Sequence, residues 1–367
     1  MNVNRRFFLF GTALAARAFQ GESSVGTAMI GVGNRGSFLL KGVLEQPNAK
    51  VLALCDIKPD RLDKAATAAA RDKPATYADW HKVIDRKDVD AIFIATPPYL
   101  HSEMAIAAIH AGKHVYCEKP IGVTPAQVRA LVEAARGSKK VFVPGQQLRS
   151  MKQYQEAIRK VREGAIGDVL MVKAQRHATA DLPHDGTSGD WYFDVNKSGG
   201  YLVEQSVHNL DLCNWVIGAR PVRACGFGAT QLYKNDPPGR TIYDCGSLTY
   251  QYPKGVEMSF TQNVFHPGSM PNGNQYIYVY GSKAALDLMG SGTAYPLEKG
   301  AQPEVLAAKR QEDQYAHLAA FYDSITKGTP PPVGITVGAE AALTAILGNE
   351  AMMQQKVVNW SDMGVEL

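Results

Sequence analysis

The sequence predicts an α/β chain in two unequal parts. A doubly wound parallel sheet comes first, followed by an α+β unit built on a large, mostly antiparallel sheet. Three observations carry this prediction. Apolar strand-like runs alternate with helical patterns as far as residue 145, and alternation at that spacing belongs to parallel sheets covered by helices. A glycine-rich turn, Gly31-Val32-Gly33-Asn34-Arg35-Gly36, joins the first strand to the first helix. Beyond residue 163 the pattern shifts to longer β-rich segments without alternating helices, as antiparallel sheets show.

Residues 1–24 stand outside that fold. Arg5-Arg6 is followed by the apolar run Phe7-Phe8-Leu9-Phe10 and ends near Ala16-Arg17-Ala18. This is the layout of a bacterial twin-arginine export signal with a small-residue cleavage site, so the expected location is the periplasm. An amphipathic N-terminal helix with two chance arginines is the alternative.

Residues 25–32 read as a buried strand and the next helix carries Phe38, Leu39, Val43 and Leu44 on its apolar stripe. A second strand over 50–55 ends at Asp56, 20 residues beyond Gly36. A G-x-G-x-x-G turn in this context is a dinucleotide fingerprint. Gly31, Gly33 and Gly36, with Asn34 and Arg35 between them, let the backbone approach a pyrophosphate resting on the helix N-terminus. Asp56 would accept hydrogen bonds from a ribose 2′-hydroxyl, which favours NAD. Arg35, Lys58 and Arg61 lie close in sequence and keep NADP as the alternative.

The alternation continues with helices over 65–71 and 80–85, then a strand over 90–95 that ends at Thr96-Pro97-Pro98. A helix over 101–111 closes at Gly112, and a strand over 114–117, a helix over 125–135 and a strand over 141–144 complete a Rossmann domain spanning 25–145. Residues 146–367 form the expected substrate-binding and oligomerisation domain. It has a helix over 154–163, strands over 169–175, 223–231, 242–252, 256–264 and 276–280, and late helices over 311–327 and 337–355. Those last helices close the structure and can pack back on the first domain.

Composition narrows the function. The 367 residues are 45% hydrophobic and carry a net charge of +4 without long basic runs, which argues against nucleic-acid and membrane-surface partners. No stretch approaches the roughly 20 apolar residues that span a bilayer. Five scattered cysteines form no disulfide framework and no CxxC, and no metal-ligand spacing is present. Asp181, Asp185, Asp190 and Asp194 offer none either.

Two constellations carry chemistry. In Glu118-Lys119-Pro120 a lysine stands at the end of a buried strand, where open α/β sheets bind ligands; a surface ion pair would read the same. In the helical segment 204–215, Glu204, His208 and Asp211 share one face at i, i+4 and i+7; a solvated polar stripe would look alike.

Taken together, these motifs resemble the glucose–fructose oxidoreductase / inositol dehydrogenase / rhizopine-catabolism (Gfo/Idh/MocA) family. The resemblance runs through Ala95-Thr96-Pro97-Pro98 with His101, Ala111-Gly112-Lys113-His114-Val115 before Glu118-Lys119-Pro120, Ser198-Gly199-Gly200 before His208 and Asp211, and Gly281-Ser282-Lys283-Ala284-Ala285-Leu286. It implies oxidation of a secondary hydroxyl of a sugar, polyol or glycoside, with hydride passing to a tightly bound nicotinamide. It assigns catalysis to Lys119 and His208 with Glu204, and cofactor contacts to Thr96, Pro97, His101, Glu118 and Lys119 beside the glycine turn. Arg149, Trp191, Tyr192 and Asp211 become substrate-side candidates. The aromatic pair suits stacking on a sugar ring, a lid or a subunit contact equally well, and Arg149 is as easily a helix-capping residue. A homodimer or homotetramer is expected. Relatives that hydrolyse glycosides by oxidation at carbon 3, elimination, water addition and re-reduction supply the alternative reading, although that branch lacks the lysine. One departure stands out: many members have Asp-x-Gly-x-His where this chain has Glu204-Gln205-Ser206-Val207-His208.

Overall fold

The structure is a computed structural model that describes residues 24–179, 191–270, 273–309, 311 and 313–367. Residues 1–23, where the export signal is expected, and Asp181, Asp185 and Asp190 lie outside the described residues.

The first domain alternates as the sequence predicts: β1 (Val25–Ile30), α1 (Asn34–Leu44), β2 (Ala49–Cys55), α2 (Pro59–Ala68), β3 (Ala75–Tyr77), α3 (Trp80–Ile84), β4 (Ala91–Ile94), α4 (His101–His110), β5 (His114–Cys117), α5 (Pro125–Arg136) and β6 (Phe142–Pro144). Its six strands run in the order β3-β2-β1-β4-β5-β6, and every neighbouring pair is parallel. The chain reverses direction across the sheet between β1 and β4, which opens a crevice at their carboxyl ends. β1 and β4 are buried throughout, because helices cover both faces. α2 begins earlier than the sequence suggests, since Pro59 opens its first turn with Asp60 behind it. The short β3 has little apolar signal and escapes sequence reading.

The second domain contains α6 (Lys152–Arg162), β7 (Val169–His177), α7 (Val195–Ser198), α8 (Val207–Ile217), β8 (Arg223–Ala229), β9 (Cys245–Gln251), β10 (Glu257–Asn263), β11 (Gln275–Gly281), β12 (Ala284–Asp287), β13 (Thr293–Pro296), β14 (Glu304–Val305), α9 (Ala316–Lys327), α10 (Ile335–Gln354) and β15 (Val358–Asn359). Its nine strands follow the order β14-β13-β12-β11-β7-β10-β9-β8-β15. β7 and β10 are parallel, and the remaining pairs are antiparallel.

The inner face of this sheet carries Val172, Ala174, Leu248, Tyr250, Met258, Phe260, Ile277 and Val279, all buried. They share one core with α8 and α10. The amphipathic reading of 204–215 therefore fails. Every residue from Val207 to Asn214 is buried, as expected for a helix enclosed on all sides. Its first part is also not α-helical: Leu202–Ser206 forms a π-turn that runs directly into α8. α9 returns to the first domain, where Phe321 meets Phe93 edge-on at 5.2 Å and the Tyr322 hydroxyl lies 2.9 Å from Thr27 Oγ1. All five cysteines are free. Among the described residues no helix is long and apolar enough to cross a membrane.

Candidate active site

The glycine turn is shaped for a close approach. Gly31 has φ +84°, and a Cβ there would stand 2.6 Å from the Ala95 carbonyl oxygen. A Cβ on Gly36 would stand 2.0 Å from the Gly31 oxygen, so α1 can start against β1 only with glycine at both places. The N-terminus of α1 then lies at the crevice, where anions bind. Asp56 is held by this turn. One carboxylate oxygen accepts from the Val32 amide at 2.9 Å and the other from the Lys58 amide at 3.0 Å. Arg61 crosses the turn, with Nη1 3.0 Å from the place a Gly33 Cβ would occupy. Ile57, 82% exposed, was missed by sequence reasoning. An apolar residue directly after the strand-end acid is the signal for it, and it offers a flat apolar contact beside Asp56.

Arg35 turns away from the glycine turn. Its Nε donates to Glu118 Oε1 at 2.6 Å and its guanidinium lies 4.9 Å from the centre of the Phe38 ring. Glu118 Oε2 also accepts from the Lys119 amide at 3.2 Å. His101 is buried between two carbonyls, that of Pro120 at 2.7 Å from Nδ1 and that of Thr96 at 2.8 Å from Nε2. It ties the Thr96-Pro97 turn to the Glu-Lys-Pro segment, with both ring nitrogens turned to the backbone. The Thr96 hydroxyl makes only a weak contact to Met104 Sδ, and Pro97 precedes the turn that opens α4.

Lys119 reaches across to the second domain. Its Nζ donates to the Glu204 carbonyl at 2.6 Å and to Glu204 Oε1 at 3.1 Å. The other Glu204 oxygen accepts from Gln205 Nε2. The π-turn makes this possible by presenting a main-chain carbonyl and a carboxylate of one residue to one ammonium; π-turns within helices often occur at functional sites. His208 follows on α8. It is buried, its Nδ1 has no partner among the described residues, and its pKa is held well below the ordinary histidine value by burial and by the nearby Lys119, Arg176 and Arg35 charges. Burial and these charges favour the neutral ring.

The substrate-side candidates separate. Arg149 and Asp211 come together, but as each other's partners: Nε lies 2.9 Å from Oδ2 and Nη2 2.7 Å from Oδ1. Arg149 also stacks over Trp215 at 4.9 Å. Burial raises the Asp211 pKa while Arg149 opposes that shift. Trp191 is half-buried and meets Tyr192 edge-on at 5.8 Å. Tyr192 is buried in a small cluster with Phe193, Tyr201, Ile242 and Val264. His177 pairs with His266 Nδ1 at 3.4 Å and Thr261 Oγ1 at 3.1 Å. Among the described residues no group of His, Cys, Asp and Glu could hold a metal.

Arg176 is the second residue that sequence reasoning missed. On β7 it alternates with outward-facing residues and so points inward with Val172 and Ala174, a register that could have flagged it.

His208 gives a pH dependence. A histidine with a depressed pKa stays unprotonated as pH falls to about 6.5. Stability follows the same sign. The unfolded histidine takes up a proton near pH 6.5 and the folded one resists it, so its contribution is complete above that pH and declines below, by up to about 1.4 kcal/mol per pH unit. Unfolding midpoints measured between pH 7.5 and 5.5 should fall less steeply in His208→Gln; equal slopes would place the titrating group elsewhere.

Comparison with known proteins adds to this geometry. A family model described as an oxidoreductase family with an NAD-binding Rossmann fold (Gfo/Idh/MocA) matches residues 25–146, and a Gfo/Idh/MocA C-terminal domain model matches residues 154–287. A glycosyl hydrolase family 109 protein of Saccharopolyspora erythraea is 31% identical over 191 residues, 49% of this chain and 42% of the relative. The match thus spans less than half the length of that protein. A myo-inositol 2-dehydrogenase of Thermotoga maritima is 22% identical over 342 residues, 91% of this chain and 98% of the relative. A levoglucosan dehydrogenase solved with NADH and levoglucosan superposes with a TM-score of 0.78 at 18% identity, over 92% of this chain and 99% of that one; at that identity the likeness speaks to the fold alone.

Proposed function

The chain belongs to the Gfo/Idh/MocA oxidoreductase family, with an NAD-binding Rossmann domain, and on that premise we propose that it oxidises a secondary hydroxyl of a sugar, polyol or glycoside using a tightly held NAD. One observation carries the reading: Lys119 of the nucleotide domain bonds to Glu204, four residues before the buried His208, whose Nδ1 has no partner among the described residues. Gly31, Gly33, Asn34 and Gly36 would cradle the pyrophosphate and Asp56 the ribose hydroxyls. Arg61 beside Gly33 leaves NADP as the alternative. When bound, the nicotinamide supplies the hydride acceptor. The remaining work belongs to the chain. His208 takes the hydroxyl proton as the carbon–hydrogen bond breaks, and the Lys119 ammonium stabilises the developing alkoxide. Glu204 fixes Lys119 in place, and the Glu118 carboxylate, bound to Arg35, orients the peptide from which Lys119 projects.

The twin-arginine pattern supports export of the folded protein to the periplasm. Free nicotinamide nucleotide is scarce there, so the cofactor is loaded beforehand and recycled in place by a second substrate. Protein purified without added nucleotide and then denatured should release NAD; an empty protein overturns the tight-binding reading.

The glycosyl hydrolase relative supports a second reading, redox-neutral hydrolysis that begins with the same oxidation. Aryl glycosides decide between them, because aglycone release without net nucleotide reduction means hydrolysis. The outer face of the nine-stranded sheet exposes Met171, Phe227, Tyr280 and Tyr295, which supports a homodimer or homotetramer; light scattering that returns a monomer mass would remove it.

A further inference from the structure

Three cations are near enough to depress the His208 pKa: Lys119, Arg176 and Arg35. Lys119 is paired with Glu204 and Arg35 with Glu118. Arg176 differs from both. Its Nη1 donates to Gln275 Oε1 at 2.8 Å and lies 3.4 Å from Asn209 Oδ1, and its Nη2 donates to Gln205 Oε1 at 2.8 Å. These three partners are neutral amides, the Tyr201 hydroxyl beside Arg176 is neutral too, and among the described residues no carboxylate pairs with Arg176. Its Nε is buried without a partner. Gln262 stands opposite Arg176 in the parallel β7–β10 register, and its Oε1 is also buried without a partner.

Arg176 is half-buried with its Nε fully enclosed, and a guanidinium held partly out of water without a counter-charge calls for an anion. The three amides hold the guanidinium by its Nη atoms and cannot neutralise it. The place is also specific. Gln205 links Arg176 to Glu204 and hence to Lys119, and Asn209 follows His208 directly. An anion at Arg176 therefore belongs to the same molecule that presents its hydroxyl to His208.

We propose that Arg176 is a specificity residue that selects a sugar bearing a carboxylate, such as a hexuronate. This rests on the oxidoreductase reading of the same site. An arginine fork suits a planar carboxylate in a way that a lysine would not. One surplus positive charge matches one carboxylate better than a doubly charged phosphate ester. The unused acceptor on Gln262 suits a neighbouring sugar hydroxyl.

The test uses purified holoprotein with D-glucose against D-glucuronate, D-galactose against D-galacturonate, and D-glucose 6-phosphate. Reduction of bound nucleotide is followed by absorbance, and binding by calorimetry. For at least one pair the carboxylated member should be favoured by about tenfold or more in kcat/KM or affinity, the scale of a charge-assisted hydrogen bond. Arg176→Gln should collapse that ratio by lowering the carboxylated member's value more than the neutral one's. Arg176→Lys, which keeps the charge and loses the fork, should retain part of it. An equal loss for both members of a pair overturns the proposal, because Arg176 would then act on the alkoxide or on the fold. A preference for the phosphate, or binding of neither uronate, overturns it too. The two readings fail separately. Turnover of neutral sugars alone keeps the oxidoreductase and removes the carboxylate. Arg176-dependent binding of a uronate without any nucleotide reduction does the reverse.

Discussion

Lys119→Ala should lower turnover by about 10³-fold or more while leaving the nucleotide bound. Positioned proton transfer and alkoxide stabilisation each supply on the order of 10²–10⁴, and the role proposed for Lys119 is the second. It also sits beside the first, because its charge is one of those that hold His208 neutral. The substitution therefore removes an electrophile and relaxes a base together. The proposed pyrophosphate and ribose contacts are on the glycine turn and Asp56, so NAD released on denaturation should match the parent protein even though Lys119 is itself a candidate cofactor contact. Loss of turnover with loss of nucleotide would make Lys119 a cofactor anchor. Persistent turnover would make it a structural residue.

Arg149→Met should destabilise the fold by about 3–5 kcal/mol, the cost of leaving one partner of a buried ion pair behind. Asp211 has a side chain only 2% exposed, and among the described residues no other cation pairs with it. The double variant Arg149→Met/Asp211→Leu should recover most of that loss, because apolar replacements leave no orphaned charge. Chemical denaturation of the two variants reads the difference. If the single variant is as stable as the parent, the pair is free to serve a ligand, as the family resemblance suggests. The same measurement therefore separates a strut from a substrate contact.

Much of this arrangement was legible in the chain. Most of the first domain could be read strand by strand because β1, β4 and β6 are buried throughout and so appear as unbroken apolar runs. The glycine turn was equally plain, since Gly31 and Gly36 stand where any side chain would collide with backbone. What escaped were features with weak local signals. β3 and β14 are short and expose most of their residues. α8 reads as amphipathic because His208, Asn209, Asp211 and Asn214 are polar, yet all four are buried and need partners from distant segments: Tyr252 and Thr344 for Asn214, Arg149 for Asp211. Such pairings span tens to hundreds of residues, and spacing along the chain cannot reveal them. Arg176 was hidden for the same reason, as its three amide partners come from α8, β11 and the π-turn.

The π-turn over Leu202–Ser206 has a consequence for comparing this protein with its relatives. A π-turn accommodates one residue more than α-helical winding would, and each residue of an α-helix rotates the side chain by about 100°. Spacing counted along the chain therefore misstates which side chains share a direction across this segment. Glu204 looks like the longer counterpart of an aspartate four positions before the histidine, yet its orientation is set by the local winding. A relative that has aspartate and glycine here and winds as a plain α-helix would aim its acid elsewhere. Equivalence between the two acids is thus a matter of where the oxygens fall around the lysine, and column-by-column alignment is the wrong instrument for deciding it.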